Sequence, residues 1–243
     1  SLSEQRNVGI RHLRDDITLA GYLDDDIELE SSAIEEMLAF WEHSPGDLGG
    51  AAFNITNTPK PNAAKVMIRQ WFGLDCVQPG KVLPSGFTST LIWQQSDIKP
   101  DWLCGGATVW RREIVNQYSF DEWFQGTGYL EDLDFSFNVR EKYRLALVER
   151  ARLFNRSPPV RADSQYLLGK WQIINRMYLV RKYRARGLSV PKAWFASIAL
   201  LVMNLAQAMI RFDRACWNRA RGNTVGMWHE LLGRKQQIGG FLK

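Results

Sequence analysis

The run "ITLAGYL" (17–23) ends abruptly on three aspartates, Asp24, Asp25 and Asp26. A short apolar stretch with β-branched members that stops at charge reads as a buried strand ending in a loop. The acids therefore belong at the C-terminal end of a strand. Each carboxylate also raises the cost of ionising its neighbours. The triplet is either a solvated turn or the seat of a cation.

The segments that follow indicate the fold class. Ser32 and Glu35 form a capping-box pattern, and Ile34, Met37, Leu38 and Trp41 recur at helical spacing, predicting an amphipathic helix that ends at Pro45 and Gly46. Residues 49–57 read as the next strand. Residues 58–86, rich in Pro and Gly, read as a long excursion with a helix around 64–72. Residues 102–115 look like a strand passing into a helix, and the pair Gly105 and Gly106 lets a backbone or ligand come close. Residues 120–143 read as a loop feeding a helix, and 144–154 as a strand. Strands interleaved with helices indicate an α/β domain.

Beyond Pro158 and Pro159 the texture changes. Two long helices are predicted, Ser164 to Arg186 closed by Gly187, and Pro191 to about Arg221 closed by Gly222. The expected organisation is an α/β domain over 1–160 and a basic, amphipathic helical region over 161–243.

Charge follows the same division. The overall +5 resolves into an acidic front, a balanced middle and a strongly basic back. Such a gradient suits holding a cation at one end and meeting an anionic surface at the other. Residues 193–210 carry no formal charge and are flanked by Lys192, Arg211 and Arg214. Their length is at the short edge of a bilayer span, and an interfacial helix with its cations toward headgroups fits better than a span. A buried helix of a soluble bundle is the other reading. The basic residues between Arg150 and Arg186, interleaved with Trp171, Tyr178 and Tyr183, suit headgroups or an acceptor diphosphate. Helix-turn-helix, RNP and zinc signatures are lacking, so nucleic acid is not the expected partner. Cys76, Cys104 and Cys216 form no C-x-x-C pair, which argues against a disulfide framework or zinc site.

Two acidic constellations could carry chemistry. Asp24 and Asp26 form a D-x-D pair that can take a hard divalent cation and leave positions open for phosphate oxygens. Glu131, Asp132 and Asp134 open a helix, where acids also stabilise the macrodipole. A carboxylate held ionised there would suit a general base. Taken in order with "RNVGI" (6–10), "WLCGGATVWRREI" (102–114), "FDEWF" (120–124) and "RMYLVRKY" (176–183), these motifs resemble the family-2 glycosyltransferases of the GT-A fold, over residues 6 to about 186.

The resemblance implies a Rossmann-like mixed sheet flanked by helices, and a membrane-associated helical extension. It also implies inverting transfer of a sugar from a nucleotide-diphosphate donor to a hydroxyl of a glycan or lipid-linked acceptor. Asp24 and Asp26 would bind Mg²⁺ or Mn²⁺ and, through it, the diphosphate. Asp25 would face the ribose side, and Arg6 and Asn7 belong to the donor segment. Asp132 matches the catalytic base, with Glu131 and Asp134 shaping its site. Trp102, Gly105 and Gly106 would line the sugar and acceptor pocket. Where the family often has a metal-side His, this sequence has Asn155, a weaker ligand for a hard cation; His12, His43 and His229 lie elsewhere.

Family members begin with strand-helix units for the nucleobase. The resemblance thus predicts that roughly two βαβ units, ~60 to 90 residues, precede Ser1, and that the activity belongs to the whole enzyme rather than to this fragment. The expected location is cytoplasmic, peripheral to the cytoplasmic membrane face. Two other readings stand beside it: a non-catalytic membrane-binding or scaffold module, and a glycoside hydrolase using the acids as its carboxylate pair.

Overall fold

The computed structural model describes residues 1–60, 62–91, 99–126, 128–156 and 161–233. Pro158 and Pro159, where the sequence changes character, lie outside the described residues. The chain divides into two compact units, one of Ser1–Asn62, Gln78–Lys81 and Ser89–Ser157, the other of Ala63–Val77, Val82–Thr88 and Pro158–Lys243. Most of the Pro- and Gly-rich excursion therefore belongs with the helices.

The first unit is α/β. Its strands are β1 (Leu19–Leu23), β2 (Ile27–Leu29), β3 (Leu48–Ile55), β4 (Ala107–Arg111) and β5 (Arg144–Asn155), and its helices are α1 (Leu2–Arg11), α2 (Ala33–Glu42), α4 (Arg112–Gln117) and α5 (Glu131–Val139). The second unit contains α3 (Ala63–Trp71), α6 (Gln165–Lys182), α7 (Val190–Arg211) and α8 (Arg214–Leu231).

The five strands form one mixed sheet in the order β1-β4-β3-β5-β2. The β3–β5 pair is parallel and the other three pairs are antiparallel. Central β3 is apolar on both sides, as a strand covered on both faces must be. Ala51 and Phe53 join Met37 and Trp41 of α2, whereas Ala52 joins Trp110 and Phe135 on the opposite face. At Gly50 an added Cβ would lie 2.4 Å from the Trp110 ring, so that indole occupies the space a side chain would need.

Helix α1, which contains the "RNVGI" motif, carries a true capping box. The Ser1 hydroxyl accepts from the Glu4 amide while Glu4 reaches back to the Ser1 nitrogen. At Ser32, where that pattern was expected, the side chain makes no cap bond. Arg112 closes the other end of α1, donating to the carbonyls of Ile10 at 3.2 Å and Leu13 at 3.4 Å.

In the second unit the single helix expected from Pro191 to Arg221 is instead two. The break is at Phe212, in the left-handed region at φ 51°, and at Asp213, whose carboxylate accepts from Ala215 N at 2.8 Å and Cys216 N at 3.3 Å. A strong N-cap restarts the chain as α8. Gly222 consequently ends nothing. An added Cβ there would lie 2.0 Å from the Tyr166 carbonyl oxygen, and one at Gly169 would lie 2.2 Å from that of Arg219, so α6 and α8 cross backbone to backbone. Asn223 fills the crossing: its Nδ2 donates to Gly169 O at 2.8 Å, and its Oδ1 accepts from Asn204 Nδ2 of α7 at 2.8 Å.

Candidate functional site

Period-two alternation along β1 sends Ala20, Tyr22 and then Asp24 to one side. The acidic triplet is pinned at both ends by backbone bonds: Asp24 N donates to Gly106 O at 2.9 Å, and Asp26 O accepts from Arg156 N at 2.7 Å. It runs from the start of β4 to the end of β5.

The Gly105-Gly106 turn ahead of β4 carries an acid on each side. A Cβ at Gly106 would lie 1.8 Å from Asp24 Oδ2, so this carboxylate rests on bare backbone. The Gly105 N–H donates to Asp132 Oδ2 at 3.1 Å, and a Cβ on Gly105 would lie 2.5 Å from Arg6 Nη1 and 2.8 Å from Asp132 Cβ. Neither glycine can gain a side chain without displacing a charged group.

Helix α5 enters this turn sharply. Gly128 at φ +70° and Leu130 at φ 74° are both left-handed, and the latter is a costly conformation for a residue with a Cβ. The strained entry delivers Glu131 and Asp132 together. Asp132 Oδ1 also accepts from the Leu133 N–H at 2.7 Å.

Between the two acid groups sits Arg6. It is buried, donates from Nη1 to Glu131 Oε1 at 2.5 Å, and brings Nη2 to 3.8 Å from Asp24 Oδ1. Its guanidinium lies over the rings of Phe120 at 5.1 Å and Tyr22 at 5.5 Å. One internal cation thus links the β1 acid to the α5 acid.

The crowding shifts the acids. Burial, and then the Asp132 charge, push the Glu131 carboxyl up to about 9, with Arg6 pulling the other way. Burial raises Asp132 as well, against the hydrogen bonds from Gly105 and Leu133 that favour its ionised form. Asp24 is raised by burial first, with Arg6 lowering it and Asp26 and Asp25 adding to the rise. The Cys104 thiol is pushed up to about 12 by burial and by Asp132, which leaves it unreactive.

The structure therefore gathers Arg6, Asp24, Gly105, Gly106, Glu131 and Asp132. Asp25 is exposed and Asp26 half-buried. Asn155 pairs with Ile27 in the β2–β5 ladder, and its backbone is latched to the Asn57 amide at 2.7 and 2.9 Å. Asn7 is taken up elsewhere: its amide donates to Phe120 O and Glu122 Oε1 and its carbonyl accepts from Phe120 N, all at 2.9 Å. That side chain latches the loop after α4. Asp134 is buried in the unit. The Trp102 indole Nε1, three residues before Gly105, is buried with no hydrogen-bond partner.

Among the described residues no group of three or more His, Cys, Asp or Glu side chains is arranged to hold a metal ion. Asp24, the acid of the triplet nearest the glycine turn, has the Arg6 guanidinium at 3.8 Å.

The sequence reading missed Tyr22 and Phe120. Their rings meet edge to face at 5.3 Å, and Phe120 stacks on Phe135 of α5 at 4.3 Å. Both also line a cavity of ≈ 450 Å³ with Asn7, Ile10 and Arg112, and the Tyr22 hydroxyl is buried without a partner. An aromatic two residues before a D-x-D, on the same strand face, was the available signal. No protein-family model matches the chain, and no curated protein matches it.

Proposed function

We propose that the acid cluster transfers a sugar from a nucleotide-diphosphate donor to a hydroxyl of a glycan or lipid-linked acceptor, with inversion, on a sheet of the GT-A type. The observation that carries this reading is the Gly105-Gly106 turn, which bears Asp132 on one side and Asp24 on the other. With no side chain on either glycine, Asp24 packs against Gly106 while Arg6 and Asp132 pack against Gly105, so two acids and a cation meet at one turn.

In this reading Asp132 takes the acceptor's proton as the acceptor oxygen bonds to the anomeric carbon. The bond from that carbon to the diphosphate oxygen breaks at the same time, and the diphosphate leaves with the electron pair. The N–H groups of Gly105 and Leu133 hold the Asp132 carboxylate in place and favour its ionised form. Mg²⁺ or Mn²⁺ held by Asp24 and Asp26 would neutralise charge on the departing diphosphate. Arg6 engages Glu131, an acid pushed up to about 9 chiefly by burial, in a buried pair at 2.5 Å. A glycosidase would need such an acid free to face the scissile bond, so sugar transfer is the better fit.

The test is Asp132→Asn in the intact enzyme. Transfer should fall by about 10² to 10⁴, the usual worth of a general base. Nucleoside diphosphate binding with Mn²⁺, measured by calorimetry, should be unchanged. Near-normal turnover would refute the assignment.

A further inference from the structure

The helical unit turns apolar side chains outward along one line. On α7, Phe195, Ile198, Val202 and Met209 are all exposed. Steps of three, four and seven residues keep them on one helix face, along about 21 Å at 1.5 Å per residue. The opposite face is packed: Ala196, Ala199 and Leu200 join Leu74 and Phe87 in a small core. The stripe extends at both ends. Phe72, just after α3, stacks on Phe195 at 6.1 Å, and α3 adds the exposed Met67, Ile68 and Trp71, the last 82% exposed. At the far end come Ile210 and Phe212, the latter 93% exposed.

The interior of the same unit sets polar side chains among apolar ones such as Ile173, Met177 and Leu179. Asn204 bonds Asn223, which bonds the Gly169 carbonyl, and Ser197, Gln165 and Asn175 are buried too. Glycine contacts and interhelical amides are how helices associate when their exterior faces lipid. The charges agree. Neither α3 nor α7 contains an acidic residue, while Lys65, Lys192, Arg211 and Arg214 stand exposed around the stripe.

We propose that this face seats in the headgroup and upper acyl region of a bilayer carrying anionic lipid, with α7 lying in the membrane plane. A span is disfavoured because one face of α7 is packed, and its neighbour α8, joined to it through Asn204 and Asn223, carries Arg219 and Arg221 in its body. A second copy of the chain is disfavoured because a two-fold pairing would bring these cations together with no acid in either helix to meet them. The inference is independent of the chemistry proposed above, since it concerns a different unit and is read without activity.

The experiment is flotation of the full chain with phosphatidylcholine vesicles, with and without phosphatidylglycerol. Wild type should float with the anionic vesicles, and high salt or omission of the anionic lipid should weaken it about tenfold. The exposed triple variant Trp71→Ser/Ile198→Ser/Val202→Ser should lose about tenfold or more of the remaining affinity with an unchanged far-ultraviolet circular dichroism spectrum. Should the triple variant misfold, Trp71→Ser alone must show a smaller loss in the same direction. Failure of wild type to float, flotation of the folded variants at wild-type strength, or a lipid-free dimer that the substitutions dissociate would each overturn the proposal.

Discussion

The two units place polarity in opposite ways. The α/β unit buries Arg6 against the Glu131 carboxyl beneath an acid-lined turn and fills the space around its sheet with apolar side chains. The helical unit buries amides at its crossings, and Arg176 donating to the Gly86 carbonyl, and leaves Phe195, Val202 and Trp71 outside. A buried charged group is weak evidence for stability, because desolvation offsets most of its Coulombic gain. Buried amides with apolar exteriors persist where the surroundings are not water. On the two proposals above, the contrast separates a unit organised around chemistry from one organised around a surface.

The sharpest way to break this comparison is to remove the cation. Arg6→Met leaves the buried Glu131 carboxyl without its donor, and loss of a hydrogen bond to a charged group typically costs about 1.5 to 3 kcal/mol. Peptide-resolved hydrogen exchange should show faster opening of β1, β4 and α5, with α6 and α8 unaffected. If the helical peptides open equally, the units do not keep separate stabilities and the contrast fails.

A middle-sized effect belongs to the other unit. Gly222→Ala forces a methyl against the Tyr166 carbonyl, where the neighbour is backbone and cannot rotate away. Overpacking of this kind costs about 1 to 3 kcal/mol. Exchange should quicken in α6 and α8 while the sheet stays protected, the converse of the Arg6 result. A silent substitution would mean that the crossing is looser than its geometry.

How far the sequence reveals these features depends on the range of the signal. Strand and helix periodicities are local, so β3, β5, α2 and α3 are legible within a few residues of their observed ends. Acids at the end of β1 and the start of α5 are legible for the same reason. That they share one glycine turn rests on β1 pairing with β4, and no local pattern encodes that pairing. Gly222 shows the limit in one residue. A glycine after an apolar helix reads as a stop, but here it admits the Tyr166 carbonyl from a helix more than fifty positions earlier. The real stop, Phe212 followed by Asp213, went unread because an aspartate among arginines looks like an ordinary surface charge. Arg6 was read for a donor and Asn7 with it, yet one ties acids together and the other latches a loop. Motif position does not determine which neighbour a side chain meets.

The smallest expected effect separates folding from surface function most cleanly. Phe212 holds a left-handed conformation at φ 51° and is 93% exposed, so it pays strain and gains almost no burial within the chain. Glycine accepts that conformation freely. Phe212→Gly should raise the stability of the helical unit by about 0.5 to 1 kcal/mol, read as slower exchange at the α7–α8 junction. The same change should weaken flotation with anionic vesicles, because a large aromatic at the stripe's end is lost. A residue selected for folding would lose stability when replaced, whereas one kept for a lipid surface loses only binding. If Phe212→Gly destabilises the unit and leaves vesicle binding untouched, the strain at this corner serves packing, and the apolar exterior must be explained without a bilayer.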